Sequence, residues 1–307
     1  MRIWGISDLH LSFATPKPMD VFGSHWRGHA AKMRQAWDAQ VAPRDVVLCP
    51  GDLSWAMHLR QAKADLQWIG QRPGHKILLR GNHDYWWGSV TQVRAALARG
   101  CTALQNNAVD VGAWVIAGAR GWVAPKPFCH PDERSEEGSP HPSERGEIPR
   151  VARADGRDAR DDKRGIFDQT PSRAPAGIRS QDHKIYQREL VRLRLSLQDA
   201  RKIAPHKPIL AALHYPPFTA EGRPTDVVDL LRDFGVRVCV YGHLHGARAH
   251  AAAVEGEVNG IAYSLIACDY LGFRPKLIVD SDSQDLSDRN YESDIPHMRS
   301  HRSFDFA

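Results

Sequence analysis

Five short groups of polar residues in this sequence have the types and spacing expected of metal ligands. In chain order they are Asp8-Leu9-His10, Gly51-Asp52, Gly81-Asn82-His83-Asp84, His214 and Gly242-His243-Leu244-His245. Each group directly follows an apolar run that is typical of a buried strand. In α/β sheets, ligands bind outside the carboxyl ends of the strands. The strand ends would therefore bring seven oxygen and nitrogen ligands into one crevice: Asp8, His10, Asp52, Asn82, His214, His243 and His245.

These ligand types indicate a pair of divalent cations of the Mn, Fe or Zn kind. Imidazole suits Zn and Fe, whereas carboxylate and amide oxygens suit harder ions such as Mn. None of the five groups contains a cysteine, so a structural thiolate zinc site is not expected. In an extended chain, the Asp-x-His and His-x-His spacings place both polar side chains on the same side. We therefore expect extended backbone at these two motifs, and sharp turns at Gly51 and Gly81.

Taken singly, none of the groups is specific. A lone His-x-His or Gly-Asp pair carries almost no information. Asn82 alone could be a turn residue, and His214 alone could be a hydrogen-bonded core histidine. The order of the groups and their shared position after strands are what favour a functional site.

The elements that must position these groups alternate between strand and helix. Apolar runs predict strands over residues 2–7, 45–49, 76–79, 208–213 and 237–241. Helical spacing predicts helices over residues 28–41, 56–69, 89–98, 181–202 and 226–234. Residues 109–122 predict two strands with a tight turn near Gly112, and further strands are expected over residues 249–254, 261–267 and 276–279. This pattern predicts an α/β fold, with two sheets packed face to face and helices outside.

Two segments do not have the composition of a core. Residues 124–180 are rich in charged residues, Pro, Ser and Gly and poor in large apolar residues, which predicts a disordered insertion in a surface loop. A lid or a partner-binding segment is the alternative reading of this insertion. Residues 280–307 predict an acidic, disordered tail. The remainder of residues 1–279 is expected to be a single domain.

Composition and charge set limits on the class of protein. The chain has 307 residues and a formal charge of +5, which suits an anionic substrate or, equally, a soluble surface. Its cysteines are dispersed and lack CxxC spacing, which predicts small buried side chains in a reducing compartment: Cys49, Cys101, Cys129, Cys239 and Cys268. The first residues show no signal peptide, and no apolar run approaches the roughly 20 residues of a membrane span. We therefore expect a cytoplasmic protein.

Together the five groups resemble the signature of the calcineurin-like metallophosphoesterase superfamily, which is D-x-H, GD, GNH[DE], H and GHxH. Every element of that signature is present, and the resemblance covers about residues 1–123 and 181–279. Two segments also resemble those of a bacterial branch of predicted phosphohydrolases. They are GDLSWAM, which begins at Gly51, and GNHDYWW, which begins at Gly81. The resemblance implies a four-layered α/β/β/α sandwich of two mixed sheets flanked by helices.

The resemblance also implies roles for the residues of the site. One metal would be held by Asp8, His10 and His245, with Asp52 bridging, and the other by Asn82, His214 and His243. The additional histidine of the GNH motif, His83, would transfer a proton or contact the phosphate, with a carboxylate to orient it. A metal-bridging hydroxide would then attack the phosphorus of a phosphomonoester or phosphodiester.

Several questions about function stay open at this point. Residues that follow the metal motifs either line the rim of the cleft or pack helices onto the sheet: Trp55, Met57, His58, Tyr85, Trp86 and Trp87. Nucleotide, phosphoprotein and lipid-phosphate substrates all suit the motifs. Basic charge and aromatic residues favour, as an alternative, a nuclease or another nucleic-acid enzyme, although no dense basic stripe is present. A catalytically silent metal-binding scaffold is a further alternative, which the intact set of motifs argues against.

Overall fold

The computed structural model of the protein describes residues 1–125 and 176–280. The expected insertion at residues 124–180 lies outside the described residues except at its two ends. Its last five positions, residues 176–180, belong to a helix that begins earlier than predicted. The expected tail at residues 280–307 lies outside the described residues apart from Asp280.

The described strands form two sheets. The strands of the first sheet are β1 Arg2–Gly5, β2 Val46–Pro50, β3 His75–Leu79, β4 Cys101–Ala103 and β11 Lys276–Asp280. The strands of the second are β5 Val109–Asp110, β6 Val115–Ala119, β7 Ile209–Leu213, β8 Val236–Tyr241, β9 Gly256–Val258 and β10 Ile261–Leu265. Their spatial orders are β11-β1-β2-β3-β4 and β5-β6-β7-β8-β10-β9.

Both sheets are mixed. The inner strands run parallel, whereas β11, β5 and β9 are antiparallel to their neighbours at the sheet edges. The parallel strands read as continuous apolar runs because both of their faces are buried. This is why sequence patterning located them, while the short β4 and β9 were not predicted.

The helices flank the two sheets. They are α1 His29–Gln40, α2 Leu59–Gly70, α3 Val90–Ala96, α4 Ala176–Ile203, α5 Asp226–Asp233 and α6 Gly246–Ala251, with 3₁₀ turns at Asp20–Phe22 and Ser24–Trp26. The strand predicted over residues 249–254 was wrong, because helix α6 extends to Ala251. Its sequence, GARAHA, is rich in alanine, which has the strongest intrinsic preference for helix.

Three apolar layers hold these elements together. Alternate residues of each strand face opposite sides, so Trp4 packs under the helices of the first sheet while its neighbour Ile3 faces the second sheet. A third cluster, which includes Leu197 of α4 and Leu231 of α5, covers the outer face of the second sheet. The order helix, sheet, sheet, helix is the predicted four-layered sandwich, and the fold prediction is confirmed.

Two further expectations bear on the class of protein. Of the cysteines in the described part of the chain, Cys49, Cys239 and Cys268 are buried, Cys101 is partly buried, and none is in a disulfide. Cys129 lies outside the described residues. Among the helices that the structure describes, none is both long enough and apolar enough to span a bilayer.

Candidate metal centre

The parallel strands of the two sheets end at a shared edge, and the five sequence groups meet there. At this edge the ring Nδ1 of His214, after β7, lies 3.1 Å from the carbonyl oxygen of Pro50 at the end of β2. Asp8 and His10 follow β1, and His243 follows β8. The structure thus brings the seven predicted ligands together although they come from distant parts of the chain.

The first set of predicted ligands is compact. Nε2 of His245 lies 3.5 Å from Nε2 of His10 and 3.4 Å from Oδ1 of Asp8. Potential ligand atoms of these three residues all lie within 4.8 Å of one another, which is close enough to hold one ion. The three residues are those that the resemblance assigned to one metal.

The second set lies on the other side of Asp52. Nε2 of His214 is 2.6 Å from Oδ1 of Asn82, and the rings of His214 and His243 are 5.1 Å apart. Oδ1 of Asp52 lies 3.6 Å from Nε2 of His214, while its Oδ2 lies 3.8 Å from Nε2 of His10. Asp52 therefore turns one oxygen toward each set, as a bridging ligand would. Asp8 also lies within reach of both sets.

The backbone at these motifs is not extended as predicted. Asp8, His10, Asp52 and His243 all have positive φ angles, of 60°, 45°, 51° and 70°. Non-glycine residues rarely adopt this left-handed conformation, and it is found at functional sites that the surrounding structure holds in place. The side chains converge because the chain turns sharply at each strand end, so the argument from alternating extended residues was wrong.

Glycines next to the ligands are required mainly for space. A Cβ atom on Gly81 would lie 2.1 Å from Oδ1 of Asp52, and one on Gly242 would lie 2.3 Å from Oδ2 of Asp8. A Cβ atom on Gly51 would lie 2.6 Å from Nδ1 of His214, so a larger residue would not fit there. The φ of 97° at Gly51 also favours glycine. The sharp turn predicted at Gly51 is present, whereas Gly81 is needed for close approach.

Asp84 fixes the two ligand loops of the first sheet to each other. Its Oδ1 accepts hydrogen bonds from the backbone N–H groups of Leu53 and Ser54, at 2.9 and 3.1 Å, and from Nε1 of Trp86 at 3.0 Å. Its Oδ2 accepts one from the backbone N–H of Gly81 at 2.7 Å. Burial raises the pKa of Asp84 to about 6, although these hydrogen bonds act to lower it. Its neighbour His83 is not among its partners.

His83 lies over the centre, and its ring has no carboxylate partner among the described residues. Its backbone N–H donates to Oδ1 of Asp52 at 2.8 Å, and its ring packs 4.5 Å from the ring of Trp55. Its buried Nδ1 has no hydrogen-bond partner among the described residues. Packing, rather than a carboxylate, therefore holds the imidazole.

Sequence reasoning missed Asp269, which orients a predicted ligand. Oδ1 of Asp269 lies 2.9 Å from Nδ1 of His245, and its Oδ2 lies 3.3 Å from Nε2 of His250. A carboxylate behind a metal-binding histidine fixes the ring and raises its basicity. Asp269 follows the parallel strand β10, so applying the strand-end rule to the strand predicted over residues 261–267 would have found it.

The charge states before metal binding suit a cation site. Burial lowers the pKa of His214 to about 4 and holds the pKa values of His10 and His243 well below their usual range. These rings are therefore neutral, which is the form that binds metals. Burial also opposes the charge on His245, but Asp269 and Asp8 outweigh it and raise the pKa to about 10. A metal at this ring would have to displace its proton.

Of the residues that follow the metal motifs, some line the site and others pack helices onto the sheet. Trp55 lies in the site, where its ring stacks on that of His10 at 4.8 Å and Lys17 Nζ lies 3.5 Å from its centroid. Trp86 and Trp87 are buried in the core beneath the helices, whereas Met57, Tyr85 and His58 are exposed around the loops.

Comparison with known proteins gives short sequence matches. The chain is 38% identical over 85 residues to the Gene 66 protein of Mycobacterium phage D29, which covers 27% of this chain and 40% of that protein. It is 37% identical over 81 residues to the Gene 66 protein of Mycobacterium phage L5, covering 26% of this chain and 39% of that protein. The matches thus span less than half the length of these curated relatives.

Solved structures and a family model extend the comparison. The protein of unknown function AQ665 from Aquifex aeolicus matches with a TM-score of 0.37 and 11% identity, over 89% of this chain and 94% of that one. Phosphopantetheinyl hydrolase (PptH) from Mycobacterium tuberculosis matches with a TM-score of 0.44 and 12% identity, over 87% of this chain and 88% of that one. The model of the calcineurin-like phosphoesterases matches residues 1–247, which include every predicted ligand. The chain belongs to the calcineurin-like phosphoesterase family.

Proposed function

We propose that this protein is a metal-dependent hydrolase of phosphate esters, acting on monoesters or diesters through a dinuclear centre. The observation that carries the proposal is the position of Asp52, whose two oxygens lie 3.8 Å from His10 Nε2 and 3.6 Å from His214 Nε2. A carboxylate between two sets of imidazole and oxygen ligands is the arrangement needed to place two cations side by side.

The residues present fit such a pair of ions. Asp8 and Asp52 are both buried, and burial together with the charges of Asp84 and Asp8 raises the pKa of Asp52 well above its usual range. Buried carboxylates this close repel one another unless cations lie between them. Neutral imidazoles and the amide oxygen of Asn82 complete a donor set suited to Mn, Fe or Zn.

In the proposed mechanism, the protein supplies position, and the metals supply a Lewis acid for the phosphoryl oxygens and a nucleophile at neutral pH. Asp84 holds the loops of Asp52 and Asn82 at a fixed separation through its backbone hydrogen bonds. Trp55 covers His10 and His83 and excludes water from that side. His83 donates an N–H to a phosphoryl oxygen or gives a proton to the leaving oxygen.

Metal content and activity should be measured together. We expect about two Mn ions per chain in the loaded protein, and a lower occupancy of both sites in Asp52→Asn because each set loses a ligand. Asp233→Asn, at an exposed position of α5, is the matched control and should bind metal like the wild type. Full metal content in Asp52→Asn would refute the bridging role.

A substrate panel then separates the classes of function. The metal-loaded protein should hydrolyse members of a set of phosphomonoesters and phosphodiesters, and Asp52→Asn should not. Hydrolysis confined to single-stranded DNA would identify a nuclease instead. Absence of hydrolysis with every metal tested would leave a metal-binding scaffold and overturn the proposal.

A further inference from the structure

A pocket beside the metal centre plays no part in the chemistry described so far. It lies where the ends of β3 and β6 meet helix α4, is open to solvent on one side, and has a cavity volume of about 70 Å³. Three arginines line it: Arg80 directly follows β3, Arg120 directly follows β6, and Arg192 lies on α4. We name this the arginine pocket.

The pocket adjoins the predicted ligands on the Asn82 and His214 side. Arg80 precedes Gly81-Asn82 in the chain, so the wall of the pocket continues into a ligand loop. On the facing sheet, the carbonyl oxygen of Arg120 accepts hydrogen bonds from the backbone N–H groups of His214, at 3.2 Å, and Tyr215, at 2.9 Å. The pocket and these two predicted ligands are therefore joined through neighbouring stretches of backbone.

The pocket carries a surplus of positive charge. Among the described residues that line it, Glu189 is the one carboxylate. Glu189 is buried, and its Oε1 accepts hydrogen bonds from Nη2 of Arg120 at 3.0 Å and Nη1 of Arg192 at 2.8 Å. Within the described residues, the guanidinium of Arg80 forms no hydrogen bond and no ion pair. Three guanidinium groups against one carboxylate leave a net charge of +2 on these four residues.

Several donors in the pocket are also unsatisfied. Nε of Arg80 and Nε of Arg120 are both buried and lack hydrogen-bond partners in the part of the chain that the structure describes. Gln105 adds a further donor, since its Oε1 accepts from Nε1 of Trp87 and its amide NH₂ has no hydrogen-bond acceptor among the described residues. Unpaired buried donors and cations cost free energy, which an anion in the pocket would recover.

The kind of anion follows from the geometry and the charge. Guanidinium groups bind phosphate and carboxylate through paired hydrogen bonds. A phosphate dianion would neutralise the surplus of two charges, whereas a carboxylate would neutralise only half of it. The other oxygen of Glu189, which has no partner among the described residues, suits a hydroxyl donor next to that phosphate.

We propose that the arginine pocket binds a second phosphate group of the substrate, so that the preferred substrates carry two phosphates. One phosphate would be hydrolysed at the metal centre while the other is held by Arg80, Arg120 and Arg192. This inference rests on the proposed function, because it takes the neighbouring centre to be the site of hydrolysis.

Phosphate binding tests the pocket directly. Equilibrium dialysis of the metal-loaded protein against radiolabelled inorganic phosphate should give about two phosphates per chain, one at the metals and one in the pocket. The double variant Arg80→Gln/Arg192→Gln should bind one fewer. Arg194→Gln, exposed on the same helix α4, is the matched control and should bind like the wild type. Wild-type stoichiometry in the double variant would overturn the proposal.

Kinetics test the consequence for substrate choice. We expect kcat/KM for adenosine 3′,5′-bisphosphate to exceed that for either adenosine monophosphate, and Arg80→Gln to lower this ratio about 10- to 100-fold, as for loss of a charged hydrogen bond. Arg80→Gln removes no hydrogen bond seen in the described residues, so it should fold normally. An unchanged ratio in the variant would contradict the proposal, as would a variant effect seen only with a single-stranded oligonucleotide. If the wild type bound two phosphates but hydrolysed no ester, the proposed function would fail while phosphate binding in the pocket would stand.

Discussion

At the scale of single residues, the centre is built from side chains on an unfavourable backbone. Four of the predicted ligands have positive φ, and such a conformation costs a non-glycine residue of the order of 1 kcal/mol or more. Asp tolerates it better than His, so His10 and His243 carry the greater cost. Hydrogen bonds such as that from the backbone N–H of His243 to Asp8 Oδ2, at 3.0 Å, hold the loops in place.

Replacing His83 should affect turnover without affecting metal content. We expect His83→Ala to keep its metals and to lose hydrolysis by on the order of 10²–10⁴, the usual contribution of a general acid. Burial, together with the proximity of His214, lowers the pKa of His83 to about 4 in the metal-free protein. The ring therefore acts as an acid only when a bound phosphate anion favours its protonated form, and as a neutral N–H donor otherwise. The measurement compares kcat/KM for a nitrophenyl ester and an alkyl ester, with the exposed His206→Ala as control. A smaller loss for the nitrophenyl ester identifies an acid, equal losses identify a phosphate contact, and loss of metal would refute both.

Asp269 should act through His245. We expect Asp269→Asn to weaken metal binding about 10- to 100-fold, because the carboxylate that orients His245 at 2.9 Å is lost. Metal titration of the variant beside Asp229→Asn, an exposed carboxylate on α5, provides the comparison. Equal affinities in the two variants would show that Asp269 has no positioning role.

The sequence predicted which residues meet at the centre but not how they are held. Residue types and strand-end positions were sufficient to predict that the seven residues converge, because parallel strands place their carboxyl ends at one edge. The strand-end position of Asp269 could have indicated it, but the hydrogen bonds of Asp84 to the backbone of Leu53 and Ser54 join segments about 30 positions apart and leave no local pattern. Arg80 and Arg120 were missed for the same reason, since only the packing of two sheets brings them together.

At the scale of elements, the strength of the local pattern decided what could be predicted. Sequence patterning located the buried strands β2, β3, β7 and β8 to within a residue or two. Short, continuous apolar runs between turn residues are typical of buried strands, so few other structures fit them. The α6 segment was misread because a short alanine-rich stretch has no clear period. The two-strand prediction for residues 109–122 is confirmed by the antiparallel pair β5–β6.

The junction of β1 and β2 depends on one buried carboxylate. Asp45 accepts hydrogen bonds from the backbone N–H groups of Arg2 and Ala42, both at 3.0 Å, and from Nε1 of Trp4 at 3.1 Å. Burial opposes its charge, but these hydrogen bonds and Arg2 outweigh it and hold the pKa of Asp45 below its usual 3.8. Its contribution to stability is therefore present above about pH 4 and is lost as the pH falls through the lowered pKa.

We expect Asp45→Asn to lower the free energy of unfolding by about 1–3 kcal/mol near neutral pH, and by less below about pH 4. Urea unfolding at the two pH values measures both effects. Asp20→Asn, at a partly exposed position, should change stability little at either pH. If the free energies of unfolding of the wild type and Asp45→Asn differed more below pH 4 than near neutral pH, this assignment would be contradicted.

At the scale of the whole molecule, residues 126–175 should be dispensable for the fold. Their composition predicts little contribution to a core. The flanks are already close, since Nε1 of Trp122 lies 3.3 Å from Oδ1 of Asp182 on α4. A short Gly/Ser linker in place of residues 126–175 should therefore change stability little, because closure entropy varies by only about 0.6 kcal/mol per doubling of loop length.

The deletion variant should keep its melting temperature, its metal content and its turnover of a small ester. Turnover of a bulky ester tests the alternative that the segment is a lid. If turnover of the bulky ester changed more than about tenfold while the melting temperature and the metal content stayed the same, the segment would control access to the site. A large fall in melting temperature would show that the segment belongs to the fold.

The pairing of β1 with β11 has a consequence for biogenesis. Arg2 pairs with Asp280, and His10 and His245, which face one another at 3.5 Å, are 235 positions apart. During synthesis, the first strand must therefore wait for almost the whole of residues 1–280 before it gains its outer neighbour β11 and the histidine that faces His10. Contacts of such long range are formed late and slowly. In the proposed centre, His10 and His245 can share a metal only after residue 245 has been made, so loading of that site would follow synthesis of most of the domain.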